Sequence, residues 1–209
     1  MPAAKICGLS TEQTLDAAIG GGASHVGFVA FPPSPRDVAP DRLVALATRV
    51  PAHATSVGVF VDPDDALLAK TAPALPVLQL HHVTPQRAAA IRERFGKEVW
   101  VALPVRTRAD LTSAREWRGA ADRIVYDAKT PDDAALPGGM GLRFDWALLD
   151  GFEHPLPWVL SGGLDAANVG EAIGRTEASL VDVSSGVERA PGIKDAARIA
   201  AFLAAVARA

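Results

Sequence analysis

The segment TSVGVFVDPDDALLAKTAPALPVLQLHHVTPQRAAAIRERFGKEVWVAL, residues 55–103, reads as strand, helix, strand, helix, strand. Its β-branched, apolar runs Thr55–Phe60, Val77–His81 and Val99–Leu103 have strand length, and the Ala-, Leu- and Arg-rich stretches between them have helical period. Asp62-Pro63 opens the first helix, which carries Leu67 and Leu68, and Thr84-Pro85 opens the second, from Ala88 to Phe95. The same alternation extends outward to Ala4–Cys7 and His25–Val29 on one side, and to Arg123–Tyr126, Trp158–Leu160 and Leu180–Ser184 on the other. Helix signals punctuate it. Ser10-Thr11-Glu12-Gln13 caps a helix through Ile19, Thr107 precedes one from Ala109 to Trp117, and Asp165 caps Ala166 to Ile173. Asp195 starts a closing helix whose Ile199, Phe202, Leu203 and Val206 fall at core-facing spacing. Eight such units in 209 residues predict an α/β fold, a single (β/α)8 (TIM) barrel occupying residues 1–209 as one domain. The rival, an open doubly wound sheet, would place a GxGxxG turn after the first strand, and Cys7-Gly8-Leu9-Ser10 is not that turn. The sixth unit is irregular, with two prolines and three glycines between Ala128 and Arg143 before a short helix near Phe144 to Leu149. A loop that long points to function.

Composition narrows the function classes. With 49% hydrophobic and 22% charged residues the chain can bury a full core. A net charge of −3 without any basic block offers no surface for nucleic acid or for a membrane. No apolar run approaches the roughly 20 residues that span a bilayer, and no signal-like stretch follows Met1, so a cytoplasmic location is expected. The partner expected is a small, locally charged molecule. Cys7 is the only cysteine, which leaves no internal disulfide and no thiolate zinc site, and no pair of histidines has metal-ligand spacing.

In a barrel the chemistry lies where strands hand over to their following loops. Ser161-Gly162-Gly163 and Ser184-Ser185-Gly186 end strands 7 and 8, where barrels often bind phosphate through backbone N–H groups and a short helix N-terminus. Cys7 ends strand 1. It is either a small packed hydrophobe or, facing the mouth where nearby N–H dipoles and a bound substrate's surroundings can favour thiolate, a nucleophile or base. Asp127 ends strand 6, where partial desolvation would raise its pKa and let it keep a proton to donate; its plainer role is a cap or an ion pair with Lys129. Arg36 follows three prolines within five residues, so it is either a guanidinium held on a stiff loop or an ordinary surface arginine. His81 at the end of strand 4 can donate a hydrogen bond at the mouth, whereas His25, His53, His82 and His154 read as surface or loop residues. Asp182 sits inside an apolar strand and needs a partner, structural or ligand.

These residues fall in motifs that resemble phosphoribosylanthranilate isomerase of tryptophan biosynthesis. KICG at Lys5–Gly8, GFVAFPPSPR at Gly27–Arg36, LQLH at Leu78–His81 and YDAK at Tyr126–Lys129 come first. GGMGLRFDW at Gly138–Trp146, LSGGL at Leu160–Leu164 and VDVSSGVERAPGIKD at Val181–Asp195 follow in family order. The resemblance implies a metal- and cofactor-free Amadori rearrangement of N-(5′-phosphoribosyl)anthranilate to 1-(2-carboxyphenylamino)-1-deoxyribulose 5-phosphate, by a monomer or homodimer. By matching positions it implies Cys7 as general base and Asp127 as general acid. Arg36 would face the anthranilate carboxylate, and the turns at Gly162-Gly163 and Ser185-Gly186 would hold the phosphate. The chain departs from the family pattern at His82, where glycine is usual, at Met140 of GGMG, and at the strand-5 end Ala102-Leu103-Pro104-Val105. The alternatives are another phosphosugar isomerase or epimerase on the same barrel, or a phosphate-ligand binding barrel without catalysis.

Overall fold

The structure, a computed structural model, describes residues 1–129 and 141–209. Residues 130–140, which hold most of the long sixth loop and Gly138 to Met140 of the GGMG motif, lie outside the described residues. Strands and helices alternate as β1 (Ala3–Cys7), α1 (Glu12–Gly20), β2 (His25–Ala30), α2 (Pro40–Ala47), β3 (Thr55–Val61), α3 (Asp65–Thr71) and β4 (Val77–His81). They continue as α4 (Pro85–Phe95), β5 (Glu98–Val105), α5 (Arg108–Thr112), β6 (Arg123–Ala128), β7 (Trp158–Leu160), α6 (Val169–Thr176) and β8 (Leu180–Val183). The eight strands pair in parallel in chain order, and β8 closes on β1 with Lys5 opposite Asp182. A two-stranded antiparallel ribbon, β9 (Glu188–Ala190) and β10 (Ile193–Lys194), precedes the closing helix α7 (Ala196–Arg208).

Helix starts follow the sequence where a side chain can bond the first turn. Thr11 accepts from the Thr14 N–H, Thr84 from Arg87, and Asp195 from Arg198. Three boundaries differ from expectation. The cap of α3 is Asp64, not Asp62, and Asp62 instead turns the chain with φ +41°. Asp165 does accept backbone N–H groups, from Ala167 and Asn168, but it caps the turn before α6, which begins at Val169. The helix expected from Ala109 to Trp117 is α-helical only to Thr112 and tightens to a 3₁₀ turn over Ser113–Trp117.

The core has two parts. Between barrel and helices lies the larger, to which α7 contributes Ile199, Phe202, Leu203 and Val206, each side chain contributing roughly 1.5–3 kcal/mol on full burial. Inside the barrel, alternate strand residues point to the axis. Val57, Val77, Trp100, Val125, Val159 and Leu180 fill the interior beneath Cys7 and Val29. Polar side chains begin on the same inward-facing rows, with Lys5, Gln79, His81, Ser161 and Asp182 all buried. One histidine differs from the surface-or-loop reading: His25 lies in β2 and packs on Trp100 at 5.3 Å. His154 is in the loop before β7, where it stacks on Trp158 at 4.4 Å and pairs with the Tyr126 hydroxyl at 3.2 Å.

Candidate active site

One pocket at the C-terminal mouth of the barrel takes in Cys7, Arg36, His81, Asp127, Gly162, Gly163, Asp182, Ser184 and Ser185. All the expected site residues except Gly186 therefore line one cavity; Gly186 lies behind it, where a Cβ would run into the Leu164 carbonyl. Val29, Phe31, Val59 and Val61 of the β2–β3 side give the pocket an apolar wall. The glycine- and serine-bearing turns after β7 and β8 form the opposite wall.

Cys7 is buried at the end of β1, and its space depends on β2: a Cβ on Gly27 would lie 3.0 Å from Cys7 Sγ and 3.3 Å from Lys5 Cε. Burial pushes the thiol above its ordinary range, although Lys5 and Lys194 pull it back. In the protein alone, loss of water outweighs the nearby cations. Lys5 is fully buried and donates to Asp182 Oδ1 at 3.0 Å; against the desolvation that lowers it, Asp182 and Cys7 hold its pKa above normal. Asp182 thus finds the partner its position demanded, and Ser161 Oγ donates to its second oxygen at 3.3 Å.

Asp127 is half-buried where β6 meets the mouth and accepts the Ala128 N–H at 2.9 Å. Burial and then the Asp182 charge push its carboxyl up to about 7, against the pull of that N–H, Lys5 and Ser161. A carboxylic acid of this kind keeps a proton to donate near neutrality. His81 is buried and neutral: desolvation, then Lys5 and His82, lower it to about 3, and its Nε2 lies 3.2 Å from Gln79 Nε2.

Arg36 is buried, not a surface arginine. Its Nε and Nη2 donate to the two Glu188 oxygens at 2.7 and 2.8 Å, a bidentate pairing that fixes the plane of the fork. Lys194 Nζ donates to the same carboxylate at 2.7 Å and to the Ser184 carbonyl at 2.8 Å. Burial would raise Glu188, but the bonds from Arg36 and Lys194 hold it low. One carboxylate thus faces two cationic groups, and the β9–β10 ribbon supplies both Glu188 and Lys194. Neither residue was assigned a role from the sequence; the signal was a charged ERAPGIK stretch, but nothing in it names a partner 152 residues away.

At the other wall, Gly163 has φ +62°, and a Cβ there would lie 2.8 Å from the Leu142 carbonyl and 2.9 Å from that of Gly141. Asn168 fastens this turn by donating to the Gly163 carbonyl at 2.9 Å. Gly162 borders the acid instead, since its Cβ would sit 3.0 Å from Asp127 Oδ1. Among the described residues no cluster of His, Cys, Asp and Glu could hold a metal ion, and no helix is long and apolar enough to cross a membrane.

Comparison with known proteins identifies the family. Residues 4–205 match the family model of N-(5′-phosphoribosyl)anthranilate isomerase. The chain is 55% identical over 205 residues to the N-(5′-phosphoribosyl)anthranilate isomerase of Zymomonas mobilis subsp. pomaceae, covering 97% of this chain and 96% of that one. Its fold superposes on the phosphoribosyl anthranilate isomerase of Thermotoga maritima with a TM-score of 0.88 at 32% identity, over the whole of both chains. A phosphoribosyl anthranilate isomerase in complex with reduced 1-(o-carboxyphenylamino)-1-deoxyribulose 5-phosphate superposes with a TM-score of 0.86 at 30% identity, again over both chains in full. Sequence, barrel and pocket converge, and the chain belongs to the N-(5′-phosphoribosyl)anthranilate isomerase family of tryptophan biosynthesis.

Proposed function

We propose that this chain performs the family's isomerisation as a cofactor-independent Amadori rearrangement, with Cys7 as general base and Asp127 as general acid. A single observation carries the reading: a thiol and a carboxyl held near 7 face one pocket between a glycine-serine turn pair and a fixed guanidinium. Protonated Asp127 delivers its proton to the furanose oxygen as the C1′–O bond breaks, and the aniline nitrogen's lone pair forms the iminium. The iminium acidifies the C2′ proton. Cys7 as thiolate removes that proton, and the C–H electron pair flows toward nitrogen to give the enolamine, which takes a proton at C1′ and releases the proton of its C2′ hydroxyl to become the C2′ ketone.

The pocket's two walls suit the two ends of such a substrate. Arg36, braced by Glu188, offers a charge-assisted partner for the anthranilate carboxylate beside the apolar face of Val29, Phe31 and Val59. The turns at Gly162-Gly163 and Ser184-Ser185 offer backbone and hydroxyl donors to the phosphate. His81 and Asp182 complete the polar lining, and neutral His81 donates or accepts at the sugar without adding charge. On this reading the protein works in the cytoplasm as one barrel domain, monomeric or homodimeric, on a small phosphosugar. The test is turnover of N-(5′-phosphoribosyl)anthranilate by the purified protein, together with rescue of a tryptophan auxotroph that lacks this isomerase. No turnover by the folded protein would overturn the reading.

A further inference from the structure

The barrel interior holds an ion pair that the reaction steps above do not use. Lys5 and Asp182 are both buried, and because well-packed apolar side chains of the same volume are often as stabilising as a buried ion pair, stability alone does not account for the pair. Its place is informative. A run of contacts crosses the neighbouring strands β1, β8, β7 and β6. Cys7 Sγ and Lys5 Cε crowd the same point above Gly27, at 3.0 and 3.3 Å. Lys5 Nζ then meets Asp182 Oδ1 at 3.0 Å, and Asp182 Oδ2 accepts from Ser161 Oγ at 3.3 Å. Ser161 donates its backbone N–H to the Tyr126 carbonyl at 2.8 Å, the residue before Asp127, while Gly162 borders Asp127 Oδ1. The cationic end of the pair therefore lies toward the thiol and the anionic end toward the carboxyl.

We propose that the Lys5–Asp182 pair positions the proton between the two catalytic groups, its cation favouring thiolate at Cys7 and its anion favouring the protonated acid at Asp127. This rests on the reading of Cys7 as base and Asp127 as acid. Lys5 and Asp182 are positioning residues, acting through those two groups. The electrostatics run the same way: at Cys7 the pull of Lys5 exceeds the push of Asp182, and at Asp127 the order is reversed. The other groups facing the thiol are Lys194 of β10, with Glu188 and Arg36 behind it; Asp127 also feels the Ala128 N–H and Ser161, and His81 across the barrel is neutral.

The consequence concerns how much enzyme is ready to react. Asp127 titrates near 7 and the buried thiol above its usual value of about 8.5, so at intermediate pH the pair shares one proton, mostly on sulfur. The working form, thiolate with carboxylic acid, is the minority arrangement of that same proton. Each unit by which the two pKa values approach raises its population about tenfold. A dipole that lifts the acid and lowers the base narrows the gap from both sides.

The experiment is the pH profile of kcat/KM for the full-length enzyme, Lys5→Met, Asp182→Asn and the double variant. The wild type is expected to give a bell whose limbs report the coupled pair. Lys5→Met leaves an unbalanced anion, so both limbs move to higher pH, the upper one further. Asp182→Asn leaves an unbalanced cation and moves both to lower pH, the lower one further. In the double variant the limbs move apart, and its plateau falls by about tenfold or more. Limbs that stay in place, or a double variant with an unchanged plateau, overturn the proposal. So does a double variant that cannot fold, because it leaves no unpaired buried charge and its failure would make the pair purely structural. Failure here is distinguishable from failure of the underlying reading: loss of activity in Cys7→Ser and Asp127→Asn would persist in the first case and be missing in the second.

Discussion

Asp127→Asn should leave the protein inactive and yet more stable. The folded carboxyl titrates near 7, and the same group in the unfolded chain titrates near about 3.9. Between those values the unfolded state has released its proton while the folded state still holds it, so stability falls as pH rises through the window. Below about pH 4 both states carry the proton and the penalty vanishes; above about pH 7 it is constant. A shift of about three units at 1.36 kcal/mol each sets a ceiling of about 4 kcal/mol, and water reaching a half-buried group through the mouth lowers the expectation to about 2 kcal/mol. Asparagine removes the penalty, keeps the shape and can still accept the Ala128 N–H now bonded at 2.9 Å. Urea unfolding at several pH values between 4 and 8 reads this out. Wild type and variant should have matching stability at about pH 4, with the variant gaining about 2 kcal/mol at pH 7 to 8. An offset independent of pH, or a variant weaker at pH 8, would refute the reasoning.

Three further outcomes follow from particular contacts. Arg36→Met keeps the stem and loses the fork, so it should cost about 2–3 kcal/mol in kcat/KM for the carboxylate-bearing substrate and much less for an aniline analogue; equal losses would assign Arg36 to bracing the loop. Ser185→Asp adds a negative charge to the proposed phosphate wall and should raise KM more than about tenfold with the thermal midpoint nearly unchanged, whereas an unaltered KM would move the phosphate elsewhere. It is a cleaner probe than any Gly163 substitution, where φ +62° and the Leu142 carbonyl 2.8 Å from a new Cβ would strain the backbone itself. His82 occupies φ +54°, so His82→Gly should raise stability by up to about 1 kcal/mol in urea unfolding, and a loss would show that its side chain makes a contact worth more than the strain.

The barrel was legible because its strands are continuous apolar runs and its helices open on capping residues; Thr84-Pro85 and Asp195 mark helix starts that the structure reproduces. At α3 two aspartates flank Pro63, and only the backbone turn at Asp62 shows which one caps. The ribbon β9–β10 escaped notice because strands of three and two residues leave no periodicity to read. Strand-end logic brought Cys7, His81, Asp127 and the two glycine-serine turns into one pocket, since in a parallel barrel every strand delivers its last residues to the same face. Register between distant strands was not legible. Asp182 clearly needed a partner, yet nothing local pointed to Lys5, and Arg36 gave no hint of Glu188. The upward shift of the thiol was not legible for a related reason: nearby dipoles can be guessed from a turn, but the burial of a strand-end side chain among distant strands cannot.

The most direct test of the central claim is kcat for N-(5′-phosphoribosyl)anthranilate in Cys7→Ser beside the wild type, with binding of a reduced product analogue measured on the same samples. Serine's hydroxyl is too weak a base to deprotonate carbon, so kcat should fall by at least about 10²-fold while the analogue still binds. A folded Cys7→Ser protein with near-normal kcat would contradict the assignment, making the lone cysteine a packing residue and sending the search for the base to Asp182, His81 and Lys5.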